Sequence, residues 1–256
     1  MALYKLILAY DGTDYSGFQR QGKNRTVQGE IEKTLREVGW SEKALLFAGR
    51  TDAGVHASGQ VVVFKLDWQH SSADLLNALN ARLPQDCAVR EISLVEAEFH
   101  PRYDATCREY CYHVYPLAVR HPLYERYAWR IWPQVDLIRL NQAASLFIGR
   151  HDFKAFGRAM KKGGSTIREV FQSRWIESDF GYDYVVGANA FLYHMVRRLV
   201  YVQVRFAQKG LTLSDLEQAL TLGKPIKPGL APANGLVLTR VDYSGNRSGF
   251  CEDEEN

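Results

Sequence analysis

The 256 residues carry 32 Lys and Arg against 29 Asp and Glu, with 46% hydrophobic and 24% charged side chains. That balance excludes the collagen, coiled-coil and disordered classes and leaves a globular chain long enough to bury one large core or two modest ones. No apolar run reaches the roughly 18 residues of a membrane-crossing helix, and four scattered Cys (87, 107, 111 and 251) fit a reducing cytoplasm better than a disulfide framework.

In chain order, Leu3–Tyr10 reads as a first strand, since Met1–Tyr10 is short, contains Lys5 and has no signal-peptide cleavage pattern. Val27, Ile31, Leu35 and Val38 then recur at helical spacing. Strands follow at Ala44–Ala48 and Gln60–Leu66, and a helix runs from near Ser72 to a stop at Pro84. After Arg102 the grammar begins again, with strands at Thr106–Tyr115, Ile167–Ser178 and Tyr182–Val186. A helix after Asp136 places Leu137, Leu140, Ala144 and Phe147 on one face, and another spans about 189–208. Ser214 and Glu217 form a capping-box signature for a last helix. Residues 1–104 and 105–250 thus read as two similar α+β domains, and 251–256 as a disordered acidic tail.

The charge is unevenly spread. Cys251–Asn256 (CEDEEN) holds four acids, so without them the net charge of the chain rises from +3 to +7. Three stretches, 15–29, 153–168 and 188–209, hold bases and no acid. Basic stretches interleaved with rings and amides suit a polyanion, because Lys and Arg displace condensed counterions and aromatic rings stack on bases. In the helix near 189–208, Leu192, Met195, Val196, Leu199, Val202 and Phe206 gather on one side. His194, Arg197, Arg198, Tyr201 and Arg205 gather on the other, a basic front that suits a phosphate-rich cleft and equally a solvated outer face.

Several motif matches fail on chemistry. Gly17–Asn24 (GFQRQGKN) lacks the Ser or Thr that a P-loop needs after its Lys, so Arg20 and Lys23 belong to a basic loop. Asp11–Asp14 lacks the later ligands of a calcium loop. Cys107, Cys111 and His113 span too far along a strand for one tetrahedral zinc, so no metal site is expected. Ala48–His56 (AGRTDAGVH) is different. Small residues flank Asp52 at a loop between two strands and leave its carboxylate open to a ligand, with Arg50 beside it to seek phosphate. A lone carboxylate is not a two-acid glycosidase, but it suits a nucleophile or electrostatic stabiliser acting at a sugar carbon. An Asp beside Gly also holds turns through backbone amides, and the residue types alone leave that reading open.

Gly49–Ala57 (GRTDAGVHA) resembles the signature of the TruA-type tRNA pseudouridine synthases. The similarity extends to Tyr10–Gln19 (YDGTDYSGFQ), Thr26-Val27-Gln28, Phe99–Arg102, Arg108–Tyr112, Gly149–Phe153, Phe191–Arg197 and Gly235–Leu238, in matching order and spacing. The resemblance implies two α+β domains, each a mixed, mainly antiparallel sheet with helices on one face, packed around a central basic cleft. It implies an isomerase that converts uridine to pseudouridine at nucleotides 38, 39 and 40 of the tRNA anticodon stem-loop. No cofactor and no metal are implied, and the protein is implied to be a cytoplasmic homodimer without a membrane partner. By motif, Asp52 is the catalytic aspartate and Arg197 its partner, Tyr110 packs on the target uracil, and Leu236 lines its pocket. Arg50, His56, Arg198, Arg20 and Lys23 are the expected further substrate contacts. Phe18 stands where the family usually has Trp, and Arg198 and Tyr201 stand where many relatives have Asn and Gly. The rival reading is a catalytically silent tRNA-binding or tRNA-folding protein on the same fold.

Overall fold

Tyr4, Leu6, Leu8 and Tyr10 are buried at every second position, and that period makes Ala2–Tyr10 the first strand, β1. The computed structural model describes residues 1–224 and 226–243. The expected acidic tail lies outside the described residues. After β1 come α1 (Val27–Glu37), β2 (Leu46–Phe47), β3 (His56–Leu66), α2 (Ser72–Asn80) and β4 (Cys87–Leu94). Then follow β5 (Cys107–Tyr115), α3 (Pro122–Glu125), β6 (Trp129–Arg130), α4 (Leu137–Ser145) and β7 (Gly149–Asp152). The chain continues through β8 (Ile167–Ser178), β9 (Gly181–Ala188), α5 (Met195–Ala207), α6 (Leu213–Leu222) and β10 (Leu236–Asp242).

One sheet runs in the order β4-β1-β3-β10-β5-β9-β8-β7, with β2 added on β3 and β6 on β5. The β3–β10 and β5–β6 pairs are parallel and the others antiparallel. The fold is therefore α+β on a mixed, mostly antiparallel sheet. Two apolar clusters lie along it. Ile31 and Leu35 of α1 and Leu75 and Leu79 of α2 pack with Leu6 and Leu8, while Leu140, Leu199 and Phe147 pack with Tyr112, Tyr184 and Trp175. The last strand is the seam: Leu236 belongs to the second cluster and Leu238, on the same face, to the first.

Several boundaries differ from the sequence expectation. The strand expected at Ala44–Ala48 contracts to Leu46–Phe47. The helix expected from about 189 begins only at Met195, because His194 takes a left-handed backbone (φ 65, ψ 5) that a right-handed helix excludes. The capping box of α6 is Thr212 with Asp215, two residues before the expected Ser214–Glu217 pair. There the Thr212 hydroxyl accepts from Asp215 N, and the Asp215 carboxylate accepts from Thr212 N.

Candidate active site

The loop between β2 and β3 carries Asp52, and its path is fixed by the segment that follows β1. Phe18 N donates to Thr51 O and Gly54 N to Tyr15 O, while the Tyr10 hydroxyl meets Thr51 Oγ1 at 2.9 Å. Two glycines make this approach possible. A Cβ on Gly12 would lie 2.0 Å from Val55 O, and Gly17 sits at φ +94 against Thr51 O. Gln60 Nε2 donates to Gly49 O and fixes the start of the loop.

From the other half, α5 brings Arg197 within its first turn. Arg197 Nη1 donates to Asp52 Oδ2 at 3.1 Å and Nε to Ala231 O at 2.8 Å, while Ala231 N returns a bond to Arg197 O. His194 Nε2 stands 3.3 Å from the same Oδ2. The carboxylate thus lies beside the positive end of α5 as well as beside a guanidinium. Asp52 keeps 26% of its side chain exposed and Arg197 only 14%, so the pair is shielded yet reachable.

Around them opens a cleft of about 560 Å³ lined by Arg50, Asp52, Tyr110, Leu236 and Arg197, together with Gln19, Gln21, Arg102, Phe191, Tyr193 and His194. The Tyr110 ring is wedged edge-on against Phe191, with centroids 5.2 Å apart at 89°. Burial pushes the Tyr110 phenol up to about 12, so its hydroxyl stays protonated at neutral pH. Arg50 and Arg102 are exposed and form no ion pair among the described residues, which leaves two cations for phosphate. The guanidinium of Arg108 instead donates to the carbonyls of Ala48, Arg102, Ala105 and Asn189 and ties the cleft walls together. One accessible carboxylate, a ring, an apolar floor and unpaired arginines suit chemistry on a nucleotide. A family model for tRNA pseudouridine synthases matches residues 6–104 and 143–244, spanning both sides of this cleft.

The chain belongs to the tRNA pseudouridine synthase family.

Proteins named tRNA pseudouridine synthase A are similar along almost the whole chain. The one from Dictyoglomus thermophilum is 39% identical over 246 residues, covering 95% of this chain and 100% of the relative. The one from Syntrophotalea carbinolica is 36% identical over 245 residues, covering 95% and 97%. That from Geobacillus kaustophilus is 37% identical over 242 residues, covering 93% of each. The family is one of isomerases.

Set against this tRNA pseudouridine synthase family, the residues singled out in the sequence divide into two groups. Asp52, Arg50, Tyr110, Leu236 and Arg197 come together in the cleft. His56, Arg198, Arg20 and Lys23 are not among its lining residues. His56 is buried: its Nδ1 accepts from Gly12 N at 3.0 Å and its Nε2 donates to Asn234 O, so it ties the loop after β1 to the approach to β10. Burial holds its pKa below the usual imidazole value, which keeps it neutral in that role. Arg20 pairs at 2.6 Å with the buried Glu32, which also accepts from Gln28 Nε2 at 2.7 Å. Lys23 is exposed elsewhere on the same loop.

Arg198 stands apart from the residues that line the cleft. It does not extend a basic front into the cleft; its guanidinium donates to the carbonyls of Ile226, Lys227 and Gly229. Tyr201, the other departure from the family pattern, fills the space beside it, because a Cβ on Gly229 would meet the Tyr201 ring at 2.0 Å. The two together fasten the segment that leads to Ala231, the acceptor for Arg197. Phe18 is fully buried against Phe47 and Tyr10, a setting that needs a ring and no indole donor.

Arg102, Phe191, Gln19 and Gln21 line the cleft without having been singled out, and His194 joins them from the helix front already named for a phosphate-rich cleft. The signal for all but Gln21 was membership of the family-like runs; Gln21 lies in the acid-free stretch 15–29, and Phe191 and His194 also lie in the stretch 188–209. On the opposite face of β5 from Tyr110, His113 Nδ1 donates to Asp183 Oδ1 at 2.7 Å, with Cys111 Sγ 3.8 Å from that nitrogen. This is the one group of three metal-type donors among the described residues, and its imidazole and carboxylate already satisfy each other.

Proposed function

We propose that this chain isomerises uridine to pseudouridine at nucleotides 38, 39 and 40 of the tRNA anticodon stem-loop, with Asp52 as its single essential aspartate. The observation that carries the reading is the Asp52 carboxylate, held through Oδ2 by Arg197 at the floor of a cleft walled by Tyr110 and Leu236. The reaction breaks the N1–C1′ bond, turns the uracil and joins C5 to C1′, while C5 loses a proton and N1 gains one. Atoms and electrons balance, so neither an oxidant nor an energy source enters. Asp52 has three uses open to it: attack on C1′, attack on the base, or removal of a sugar proton. Each needs a carboxylate oxygen that reaches the substrate.

Residues 1–104 supply Asp52 and Arg50 in this reading, and residues 105–250 supply Tyr110, Arg197 and Leu236. A stem uridine must leave its stack at a cost of a few kcal/mol. Stacking on Tyr110 offsets about 1–3 kcal/mol of that, while Arg50 and Arg102 hold the backbone and Lys23 meets phosphate beyond the cleft. The homodimer belongs to the same proposal. Val119 and Leu123 are each 77% exposed, and Trp132 and Phe180 are more than half exposed, apolar side chains of the kind that a second copy would cover. A tRNA substrate sets the work in the cytoplasm.

The test is pseudouridine mapping of an unmodified tRNA after incubation with the purified protein. Wild type forms pseudouridine at the anticodon-stem uridines. Asp52→Ala binds the same tRNA and forms none. Turnover at the normal rate in Asp52→Ala removes the aspartate from the mechanism, and binding without turnover in wild type leaves the silent tRNA-binding protein.

A further inference from the structure

Asp52 receives both of its side-chain partners on one oxygen. Arg197 Nη1 lies 3.1 Å and His194 Nε2 3.3 Å from Oδ2, and no described residue bonds Oδ1. His194 reaches this place through a backbone disfavoured for a residue with a Cβ, φ 65 and ψ 5, in the step before α5. Its ring stacks on Tyr193 with centroids 3.7 Å apart at 27°, and the Arg158 guanidinium lies 4.6 Å from the other ring of that stack. Tyr193 N donates in turn to Arg158 O. A left-handed turn, a ring stack and a cation thus fix one imidazole beside one carboxylate oxygen, the pattern in which local strain marks a working position.

We propose that His194 is the positioning residue that selects the reacting oxygen of Asp52: the imidazole Nε2 and Arg197 together hold Oδ2, and Oδ1 is presented to the uridine. This rests on the isomerase reading above. The ring stands off the line of a good hydrogen bond here, and a small rotation as substrate closes the cleft completes the Nε2–H···Oδ2 contact. The groups facing the imidazole are Asp52 from its loop, Arg197 from α5, Arg158 from the segment after β7, and Tyr193 beside it. Burial and the two arginines oppose the imidazolium more than Asp52 favours it, so the ring is neutral near pH 7. A neutral donor orients the carboxylate without placing a second full positive charge on it.

The experiment compares His194→Gly and His194→Gln with wild type in pseudouridine formation, tRNA affinity and melting temperature. Glycine adopts φ 65 without strain, so His194→Gly melts at or above the wild-type temperature and binds tRNA with unchanged Kd. Its kcat falls by about 10- to 100-fold, the span of one hydrogen bond to a charged group. Glutamine returns an N–H at similar reach and recovers part of that loss. Wild-type kcat in His194→Gly overturns the proposal. So does a fall in kcat matched by equal losses of affinity or melting temperature, or a kcat for His194→Gln no better than for His194→Gly. Failure of wild type to form pseudouridine overturns the isomerase reading instead.

Discussion

Replacing Arg198 with Ala separates two roles that a helical wheel cannot distinguish. If Arg198 meets phosphate, its loss weakens tRNA binding and lowers the salt slope by about 0.9. In the structure its guanidinium is instead spent on three backbone carbonyls of residues 226–229. Each such bond contributes about 0.5–1.5 kcal/mol net, and the freed carbonyls, near the surface, regain water, so the loss is about 2 kcal/mol. For a chain of this size that lowers Tm by about 4–8 °C. The same segment presents Ala231 O to Arg197 Nε at 2.8 Å, so loosening it also slackens the Arg197–Asp52 contact and slows pseudouridine formation. Urea or thermal unfolding gives the first quantity, and tRNA binding across a salt series gives the second. The expected result is a lower Tm with an unchanged salt slope. An unchanged Tm with a slope reduced by about one refutes the assignment.

Other expectations follow from separate contacts. Glu32→Ala strands the buried Gln28 amide and the Leu45 N–H, at about 2–4 kcal/mol in urea unfolding; a loss under 1 kcal/mol would mean that water replaces the carboxylate. Tyr110→Phe keeps the ring against Phe191 and retains pseudouridine formation within about threefold, whereas Tyr110→Ala loses the 1–3 kcal/mol of one stacked base. A large loss in the Phe variant gives the hydroxyl a direct role. Burial alone would raise the Asp11 carboxyl, but bonds from Thr13, Tyr127 and Arg126 outweigh it and hold the group below the ordinary carboxylate range. Its folded pKa is depressed, so its contribution is complete above the unfolded value of about 3.9 and disappears as pH falls through the folded value. Unfolding free energies measured from pH 7 to 2.5 therefore show a shallower acid decline in Asp11→Asn than in wild type, and equal slopes contradict that linkage.

How much of this was legible in the sequence depended on distance along the chain. β1 and α1 could be read because periods of two and 3.6 are local properties of Leu6, Leu8, Ile31 and Leu35. The α6 cap was ambiguous because Thr212–Asp215 and Ser214–Glu217 are overlapping frames of one signature, and the structure uses the first. The Asp52–Arg197 contact spans 145 positions and came from motif likeness, since no spacing rule reaches so far. His194 was placed on the basic front of a helix expected from about 189, but its left-handed turn was hidden because the apolar pattern of α5 continues upstream and a single left-handed residue breaks a helix without disturbing that pattern. The Arg198 contacts with residues 226–229 were hidden for a related reason: a helix face gives a direction, but whether solvent or a backbone loop waits there depends on the fold.

The position of β10 governs when the site can exist during synthesis. Its seven residues form the strand between β3 and β5, pairing in parallel with one and antiparallel with the other. Until Leu236–Asp242 leave the ribosome, β5 is left unpaired on this edge along Cys107–Tyr112 and β3 at His56–Ala57, beyond the stretches that β6 and β2 cover, and nothing in the strand order joins the Asp52 loop to the elements bearing Tyr110 and Arg197. A nascent or truncated chain ending before Leu236 therefore has a stretch of β5 edge exposed and no assembled cleft, a state prone to pairing with other chains. The ladder from His56 to Val237 closes one of the longest loops in the molecule, which makes it a slow event in folding. Catalytic competence and protection from aggregation thus arrive in one late step.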